Sequence, residues 1–285
     1  MHILVFGHSG QVATELRALG GNGVQITALD RNRADLCDPT ACARAIADHA
    51  PDAVVNAAAY TAVDQAEEDE ATAHLVNAKA PAAMAQACAA LDIPFVTLST
   101  DYVFSGAGSR PWQPDDPTEP QGAYGRTKRD GEEGVIKAGG RYAILRTSWV
   151  VSAHGTNFVK TMLRLGAERD ALSIVADQVG GPTPARDIAA ACIEVAQTLR
   201  ADAGNTGIYH FAGYPDTSWA DFARAIFDAA GLSCTVGDIP SSAYPTPATR
   251  PLNSRMDCST LKQTFGIARP DWRQSLTHIL KDLGT

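Results

Sequence analysis

The first half of the chain repeats one pattern of apolar and polar positions. Short, continuous apolar runs alternate with longer segments in which apolar residues recur at helical spacing. The strands predicted within this pattern are Ile3 to Phe6, Val24 to Leu29, Ala53 to Asn56, Phe95 to Ser99 and Tyr142 to Arg146. Strands buried on both faces of a parallel sheet have this continuous apolar character. The alternation therefore predicts an α/β fold with a Rossmann-like, doubly wound parallel sheet.

The alternation stops after Trp149, where helical and extended patterns become irregular. A short run at Ile208 to Phe211 is predicted to return to the sheet. We therefore predict two domains. Residues 1–148 plus about 185–211 form the dinucleotide-binding domain, and about 149–184 and 212–285 form a smaller substrate-binding domain over the crevice.

A glycine turn follows the first predicted strand and opens a helix. Gly7 permits a tight turn, Gly10 lets the backbone approach a pyrophosphate, and Ala13 allows close helix–strand packing. The start of the helix offers unpaired N–H groups and partial positive charge. This context of strand, glycine turn and helix predicts a dinucleotide site.

The second predicted strand ends at Asp30 and Arg31, about 20 residues after the glycine turn. An acidic residue there binds the ribose hydroxyls of NADH, whereas an arginine holds the 2′-phosphate of NADPH. The pair leaves the preference open, so we expect NADPH or NADH. Asp35 is a further candidate at the adenine, and Asp38 before Pro39 suits a helix N-cap.

Tyr124 and Lys128 are four residues apart in a predicted helix and therefore share one face. A fixed ammonium beside a phenol is expected to lower the phenol pKa from roughly 10 toward neutrality. The pair therefore suits proton donation to the oxygen of a carbonyl undergoing reduction. Ser99 and Thr100 end the fourth predicted strand, where α/β sheets bind ligands.

Composition excludes several other classes of function. The 285 residues carry a formal net charge of -8 and no basic run, so we expect no nucleic-acid partner. The sequence has no charged leader and no apolar stretch of the ~18 residues that span a membrane. Six scattered cysteines without a Cys-x-x-Cys spacing indicate reduced thiols in a cytoplasmic protein.

Several segments together resemble the dTDP-4-dehydrorhamnose reductases, a family of extended short-chain dehydrogenases/reductases. They are Gly7-x-x-Gly10-Gln11-Val12, Asn56-Ala-Ala-Ala-Tyr-Thr61, Ser99-Thr-Asp-Tyr-Val-Phe104, Tyr124-Gly-x-Thr-Lys128, Arg146-Thr-Ser-Trp149 and Asp177-Gln-x-Gly-x-Pro-Thr183. The resemblance runs nearly end to end. It implies NAD(P)H-dependent reduction of the 4-keto group of dTDP-4-dehydro-6-deoxy-L-mannose to dTDP-L-rhamnose, a precursor of cell-surface polysaccharide.

The resemblance also implies roles for individual residues. Tyr124 is the proton donor, Lys128 grips the nicotinamide ribose, and Thr100 hydrogen-bonds the substrate carbonyl. Other implied cofactor contacts are Gly10, Gln11 and Val12 at the pyrophosphate, Asp30, Asp35 and Leu36 at the adenosine end, and Ala59, Tyr60 and Thr61 along the cofactor. The implied substrate contacts are Asp101, Phe104 and Trp149 at the sugar, with Arg250 and Asn253 at the nucleotide end.

The sequence departs from the family pattern in three places. Ser105 replaces an expected acidic residue, and Val151 replaces an expected aromatic one. Some members hold Mg²⁺ between glutamates at a homodimer interface. Glu15 matches one of these glutamates and is the candidate metal ligand, but Arg186 stands at another such position.

Two alternatives share these features. A nucleotide-sugar epimerase or dehydratase with tightly held NAD has the same core, although the Gln11 turn and residues 177–183 favour the reductase. A non-catalytic subunit resembling the regulatory subunit of methionine adenosyltransferase can also keep Tyr-x-x-x-Lys. Turnover by the isolated protein distinguishes that subunit from an enzyme.

Overall fold

A computed structural model describes residues 1–285 as alternating strands and helices. The strands are β1 (His2–Phe6), β2 (Gln25–Leu29), β3 (Ala53–Asn56), β4 (Phe95–Thr100), β5 (Tyr142–Thr147), β6 (Val150–Val151), β7 (Ala171–Val175), β8 (Val179–Gly180), β9 (Thr183–Pro184), β10 (Gly207–His210), β11 (Thr217–Ser218), β12 (Thr235–Ile239) and β13 (Asn253–Ser254). The α-helices are α1 (Gln11–Ala18), α2 (Pro39–His49), α3 (Val63–Ala66), α4 (Glu70–His74), α5 (Ala80–Ala90), α6 (Ala123–Ala138), α7 (Phe158–Glu168), α8 (Ala185–Ala201), α9 (Trp219–Ala230), α10 (Ser259–Phe265) and α11 (Trp272–Leu283).

The central sheet has the strand order β10-β5-β4-β3-β1-β2, and all of its pairs are parallel. The chain proceeds from β1 to β2 on one side and through β3, β4 and β5 on the other. The predicted Rossmann-like, doubly wound sheet is therefore confirmed. The reversal of direction lies between β1 and β3, where such sheets bind ligands at their carboxyl ends.

Alternate residues of β1 fill two different cores. Ile3 and Val5 pack with α1 and α8 on one face, while Leu4 and Phe6 pack with α2 and α5 on the other. Side chains alternate across a strand, so a strand covered on both faces must be apolar throughout. This burial explains the continuous apolar runs of the sequence.

The predicted helix between residues 71 and 91 is interrupted by a π-helical turn at Leu75–Lys79. Pro81 lacks an N–H and cannot donate to the carbonyl of Asn77 four residues earlier. Gly131 of α6 packs so closely there that a Cβ on it would lie 2.1 Å from the Asn77 carbonyl oxygen. The Asn77 side chain extends from this turn to the loop after β3, as described below.

A third core lies beyond β5 and joins α7, α9, α11 and β7. The strand β10 returns to the central sheet beside β5, as the sequence predicted. Leu261 and Phe265 of α10 pack into the core that faces α8, so this short helix contacts the larger sheet. The division into two domains stays a prediction. No helix has the length and apolar character needed to cross a membrane.

Candidate active site

Two adjoining cavities open at the carboxyl ends of the central strands. The larger has a volume of about 640 Å³. Every residue predicted to contact the cofactor lines it, namely Gly7, Gly10, Gln11, Val12, Asp30, Arg31, Asp35, Leu36, Ala59, Tyr60, Thr61, Tyr124 and Lys128. The sequence segments that carried the prediction thus meet at one place in the fold.

The glycine turn has a geometry that suits a pyrophosphate. Gly7 adopts a φ of +113°, and a Cβ at Gly10 would meet no atom within 4 Å. No side chain caps α1, so its first N–H groups face the larger cavity. The Gln11 side chain has internal partners, since Ser152 and Asn157 donate to its Oε1 at 2.7 and 3.0 Å. Its backbone N–H therefore remains the group available to a phosphate.

The adenosine end of the larger cavity holds charges of both signs. Asp30 follows β2 and accepts a hydrogen bond from the Arg33 backbone at 3.0 Å. Arg31 is exposed and contacts Asp35 at 3.1 Å. A hydrogen bond from the Cys37 backbone, with a smaller contribution from Arg31, lowers the pKa of Asp35. Both an acceptor for ribose hydroxyls and a cation for a 2′-phosphate are present.

Asn77 fixes the segment that follows β3. Its Oδ1 accepts from the Tyr60 backbone at 2.8 Å, and its Nδ2 donates to the Tyr60 carbonyl at 3.1 Å. The same Nδ2 donates to Thr127 of α6 at 3.2 Å. One side chain in the π-helical turn thus links the cofactor-facing loop to the helix that carries Tyr124 and Lys128.

The smaller cavity has a volume of about 310 Å³ and adjoins the larger one. Thr100, Asp101 and Trp149 line it, as predicted for the sugar pocket. Tyr124 borders both cavities. A phenol at this junction faces the place where a cofactor and a substrate would meet.

The protonation of Tyr124 differs from the prediction. Burial raises the pKa of its phenol to about 12, while the Thr100 hydroxyl acts in the opposite direction. The prediction of a pKa near neutrality is therefore wrong for the free protein. The Nζ of Lys128 donates to the Leu98 carbonyl at 2.7 Å, and burial is the main cause of the raised phenol pKa.

Asp101 is fully enclosed beside the proposed catalytic hydroxyl. Thr100 donates to its Oδ1 at 3.0 Å, and Ser254 donates to its Oδ2 at 2.5 Å. Burial raises the pKa of this carboxyl to about 6, against the opposing effect of these hydrogen bonds. Thr100 must therefore turn its hydroxyl away from Asp101 before it can donate to a ligand.

Three predicted substrate residues lie outside the lining of both cavities. Phe104 is buried in a stack with Trp112, with ring centroids 4.7 Å apart. Asn253 is also buried, and its Nδ2 donates to the Arg110 carbonyl at 2.8 Å. Both side chains have internal partners, and the predicted roles of these residues at the substrate stay predictions.

Arg250 lies beside the smaller cavity, next to Pro251, which lines it. Its Nη2 contacts Asp64 at 2.6 Å, so the guanidinium is partly neutralised in the free protein. The Nη1 atom is buried and has no partner among the protein groups.

Several residues that line the smaller cavity were not predicted, among them Trp219, Gln178, Thr147 and Ser148. Trp219 stacks on Trp149 with ring centroids 3.5 Å apart, although the two lie 70 positions apart in sequence. Gln178 lies in a segment that carried the resemblance, which was the available signal. Thr147 ends β5 and Ser148 follows it, and no protein group hydrogen-bonds their buried hydroxyls.

Glu15, the candidate metal ligand, contacts His154 instead, with 3.2 Å between Oε1 and Nε2. No group of three or more His, Cys, Asp or Glu side chains in the protein is arranged to hold a metal ion. The structure therefore gives Mg²⁺ no support.

The Rossmann-like sheet, the glycine turn and the Tyr124–Lys128 helix at the cavity junction define an extended short-chain dehydrogenase/reductase. A family model described as "RmlD substrate binding domain" matches residues 1–285. The chain belongs to the dTDP-4-dehydrorhamnose reductase family.

Known relatives are similar to this protein along the whole chain. A dTDP-4-dehydrorhamnose reductase from Burkholderia thailandensis is 47% identical and covers 99% of each chain. A crystal structure of a dTDP-4-dehydrorhamnose reductase from Clostridium acetobutylicum superposes with a TM-score of 0.94 at 35% identity, over 100% of both chains. The enzyme from Bacillus anthracis, in complex with NADP, has a TM-score of 0.91 at 30% identity, over 99% of both chains.

Proposed function

We propose that this chain reduces the 4-keto group of dTDP-4-dehydro-6-deoxy-L-mannose to give dTDP-L-rhamnose, with NADPH or NADH as the reductant. The position of Tyr124 at the junction of the two cavities carries the proposal, in a chain whose relatives are dTDP-4-dehydrorhamnose reductases. The product is a precursor of cell-surface polysaccharide.

The larger cavity fits a dinucleotide. Its uncapped helix start and open backbone at Gly10 suit a pyrophosphate, and Asp30 with Arg31 lies at the far end. Arg31 suits NADPH and Asp30 suits NADH, so the preference is left to measurement. The bound reduced nicotinamide supplies the hydride.

Tyr124 acts as the proton donor. A pKa of about 12 keeps the phenol protonated at neutral pH, as a donor requires. Negative charge develops on the sugar O4 during reduction, and Tyr124 and Thr100 stabilise it by hydrogen bonds before Tyr124 transfers its proton. Lys128 holds the nicotinamide ribose, and its ammonium favours the phenolate that the transfer leaves behind.

Trp149 and Asp101 are proposed to border the sugar, and Arg250 to meet the nucleotide end. An anionic diphosphate would compete with Asp64 for the Arg250 guanidinium, whose Nη1 has no protein partner. Phe104 and Asn253 are proposed to support the pocket from behind.

The purified protein should be incubated with NADPH or NADH and a panel of 4-keto nucleotide sugars. We expect the nicotinamide absorbance to fall with the dTDP-linked substrate and the product to carry a 4-hydroxyl. Comparison of kcat/KM for the two cofactors gives the preference. Isomerised sugar without net cofactor oxidation would indicate an epimerase. Inactivity of the protein alone with every sugar would favour the non-catalytic subunit.

We further propose a cytoplasmic location, because all six cysteines are unpaired and a reducing compartment keeps thiols free. The homodimer that the resemblance implied stays a prediction, to be measured as the mass of the protein in solution.

A further inference from the structure

A buried cluster of hydrogen-bonded side chains lies behind the two cavities. Glu132 of α6 accepts from the Arg146 Nε at 2.9 Å and from its Nη2 at 2.6 Å. The Ser99 hydroxyl donates to Glu132 at 2.5 Å. The two charged side chains are 4% and 3% exposed, so this is a core ion pair with bidentate geometry.

The cluster lies one helical turn from Lys128. Glu132 follows Lys128 by four residues, so both side chains leave α6 on the same face. The Lys128 ammonium is buried and donates to a backbone carbonyl, with no carboxylate in hydrogen-bond contact. Burial lowers the pKa of Lys128 to about 8, and the negative charge of Glu132 acts in the opposite direction.

The surrounding charges leave Lys128 as the group that responds to Glu132. Arg146 stays protonated at any working pH. His210 on β10 faces Arg146 and is neutral, because burial lowers its pKa to about 3. Tyr124 is neutral as well. The cluster thus holds two cations and one carboxylate, and loss of the carboxylate charge would favour deprotonation of Lys128.

The ion pair also extends to the substrate side of the crevice. Arg146 donates from Nη1 to the Pro114 carbonyl at 3.0 Å, and its guanidinium lies 4.9 Å from the centroid of the Phe104 ring. Trp112 stacks on that ring and donates to the Asn253 carbonyl at 3.0 Å. One ion pair therefore links the Tyr124–Lys128 helix to the loop before it and to β13.

We propose that Glu132 is a positioning residue for the reaction: its buried carboxylate keeps Lys128 cationic, while its partner Arg146 fixes the loop on the substrate side. The inference rests on the proposed function for the role of Lys128 in holding the cofactor. It does not depend on which sugar is reduced.

The test measures the Kd of NADPH without substrate between about pH 7 and about pH 10, where the 2′-phosphate stays ionised. Wild-type affinity should fall as the pH rises through about 8. In Glu132→Gln the fall should begin about one pH unit lower. Glu133→Gln is the matched control, since the Glu133 side chain is 69% exposed on the same helix, and it should follow the wild type.

Arg146→Met separates the electrostatic role from a purely structural one. It breaks the same ion pair but leaves the carboxylate, so the loss of affinity should move to higher pH. An ion pair that only stabilises the fold would move both variants in the same direction or neither. That result overturns the proposal, as does a wild-type pH dependence in Glu132→Gln. If Glu132→Gln does not fold, the direction of the Arg146→Met shift decides.

The sugar assay remains a separate measurement. A wild-type protein that binds NADPH but reduces none of the 4-keto sugars refutes the proposed function and leaves the role of Glu132 testable. Conversely, an active reductase whose pH dependence of NADPH affinity is unchanged by both substitutions refutes only the role of Glu132.

Discussion

At the scale of single residues, chemistry depends on two side chains one helical turn apart. Tyr124→Phe removes one hydroxyl and keeps the ring, so kcat should fall by ~10²–10⁴ while the cofactor Kd stays constant. Lys128→Met should lower kcat at least as much and also weaken cofactor binding, because Lys128 is proposed to act on the phenol and on the cofactor. Steady-state kinetics and cofactor titration of the two single variants and of the double variant test this expectation. A Tyr124→Phe enzyme with near wild-type kcat would remove Tyr124 from the mechanism.

The buried carboxyl of Asp101 makes the stability of the folded protein depend on pH. Its pKa in the folded protein is raised from 3.8 to about 6, so burial disfavours the charged form. The free energy of unfolding therefore rises above its value at neutral pH as the pH falls through about 6. Asp101→Asn removes this penalty and should raise stability by up to about 3 kcal/mol at pH ~8, with the gain lost near pH ~4. Thermal unfolding at both pH values measures it; an equal gain at both would contradict the assigned cause.

At the scale of elements, α6 packs closely against its neighbours because its small residues face them. A Cβ on Gly125 would lie 2.2 Å from the Tyr102 carbonyl oxygen. Gly125→Ala should therefore displace the start of the helix, lower stability by ~1–3 kcal/mol and lower kcat, since Tyr124 is adjacent. Gly237→Ala is the control, because its nearest atom would lie 3.9 Å away. Denaturant unfolding and kcat compare the two, and equal effects would argue against the close approach.

At the scale of the whole molecule, the open question is whether a metal joins two copies. Glu15 contacts His154, and Arg186 stands where the resemblance implies a second glutamate. Treatment with EDTA should therefore change neither kcat nor the mass in solution. Mass by light scattering and activity before and after chelation provide the measurement. Activity that is lost with EDTA and regained with Mg²⁺ would reverse this expectation.

Much of the fold was readable because both faces of the central sheet are covered. The apolar runs that form β1 and β3 are buried almost throughout and have no polar face, and a run of that kind has few alternatives. The sequence did not predict β12, which is mostly exposed and carries Gly237 and Asp238, or α10, whose seven residues give little periodicity. It also did not predict the two-residue strands β6, β8, β9, β11 and β13, which are too short to show a period. The π-helical turn was also missed, because the close approach of Gly131 to Asn77 joins segments that are far apart in sequence.

The residues predicted at the cofactor all line one cavity, whereas three residues predicted at the substrate lie outside both cavity linings. The residues at the cofactor follow strand ends, and parallel strands bring their carboxyl ends to one edge. A motif shows which residues are near a site, not which way each side chain points, and Phe104 and Asn253 turn to internal partners. Trp219 carried no signal at all, since its stacking with Trp149 joins segments 70 positions apart.

The sequence by itself determined the class of fold, the edge of the sheet that holds the site, and the Tyr124–Lys128 spacing, because local periodicity and glycine chemistry act over a few residues. Only the tertiary structure decided protonation and partners. The phenol pKa of about 12 follows from burial, and the Glu132–Arg146 ion pair joins α6 to β5 across the core. Burial and the pairing of distant charges are properties of the assembled protein, and no local pattern in the chain encodes them.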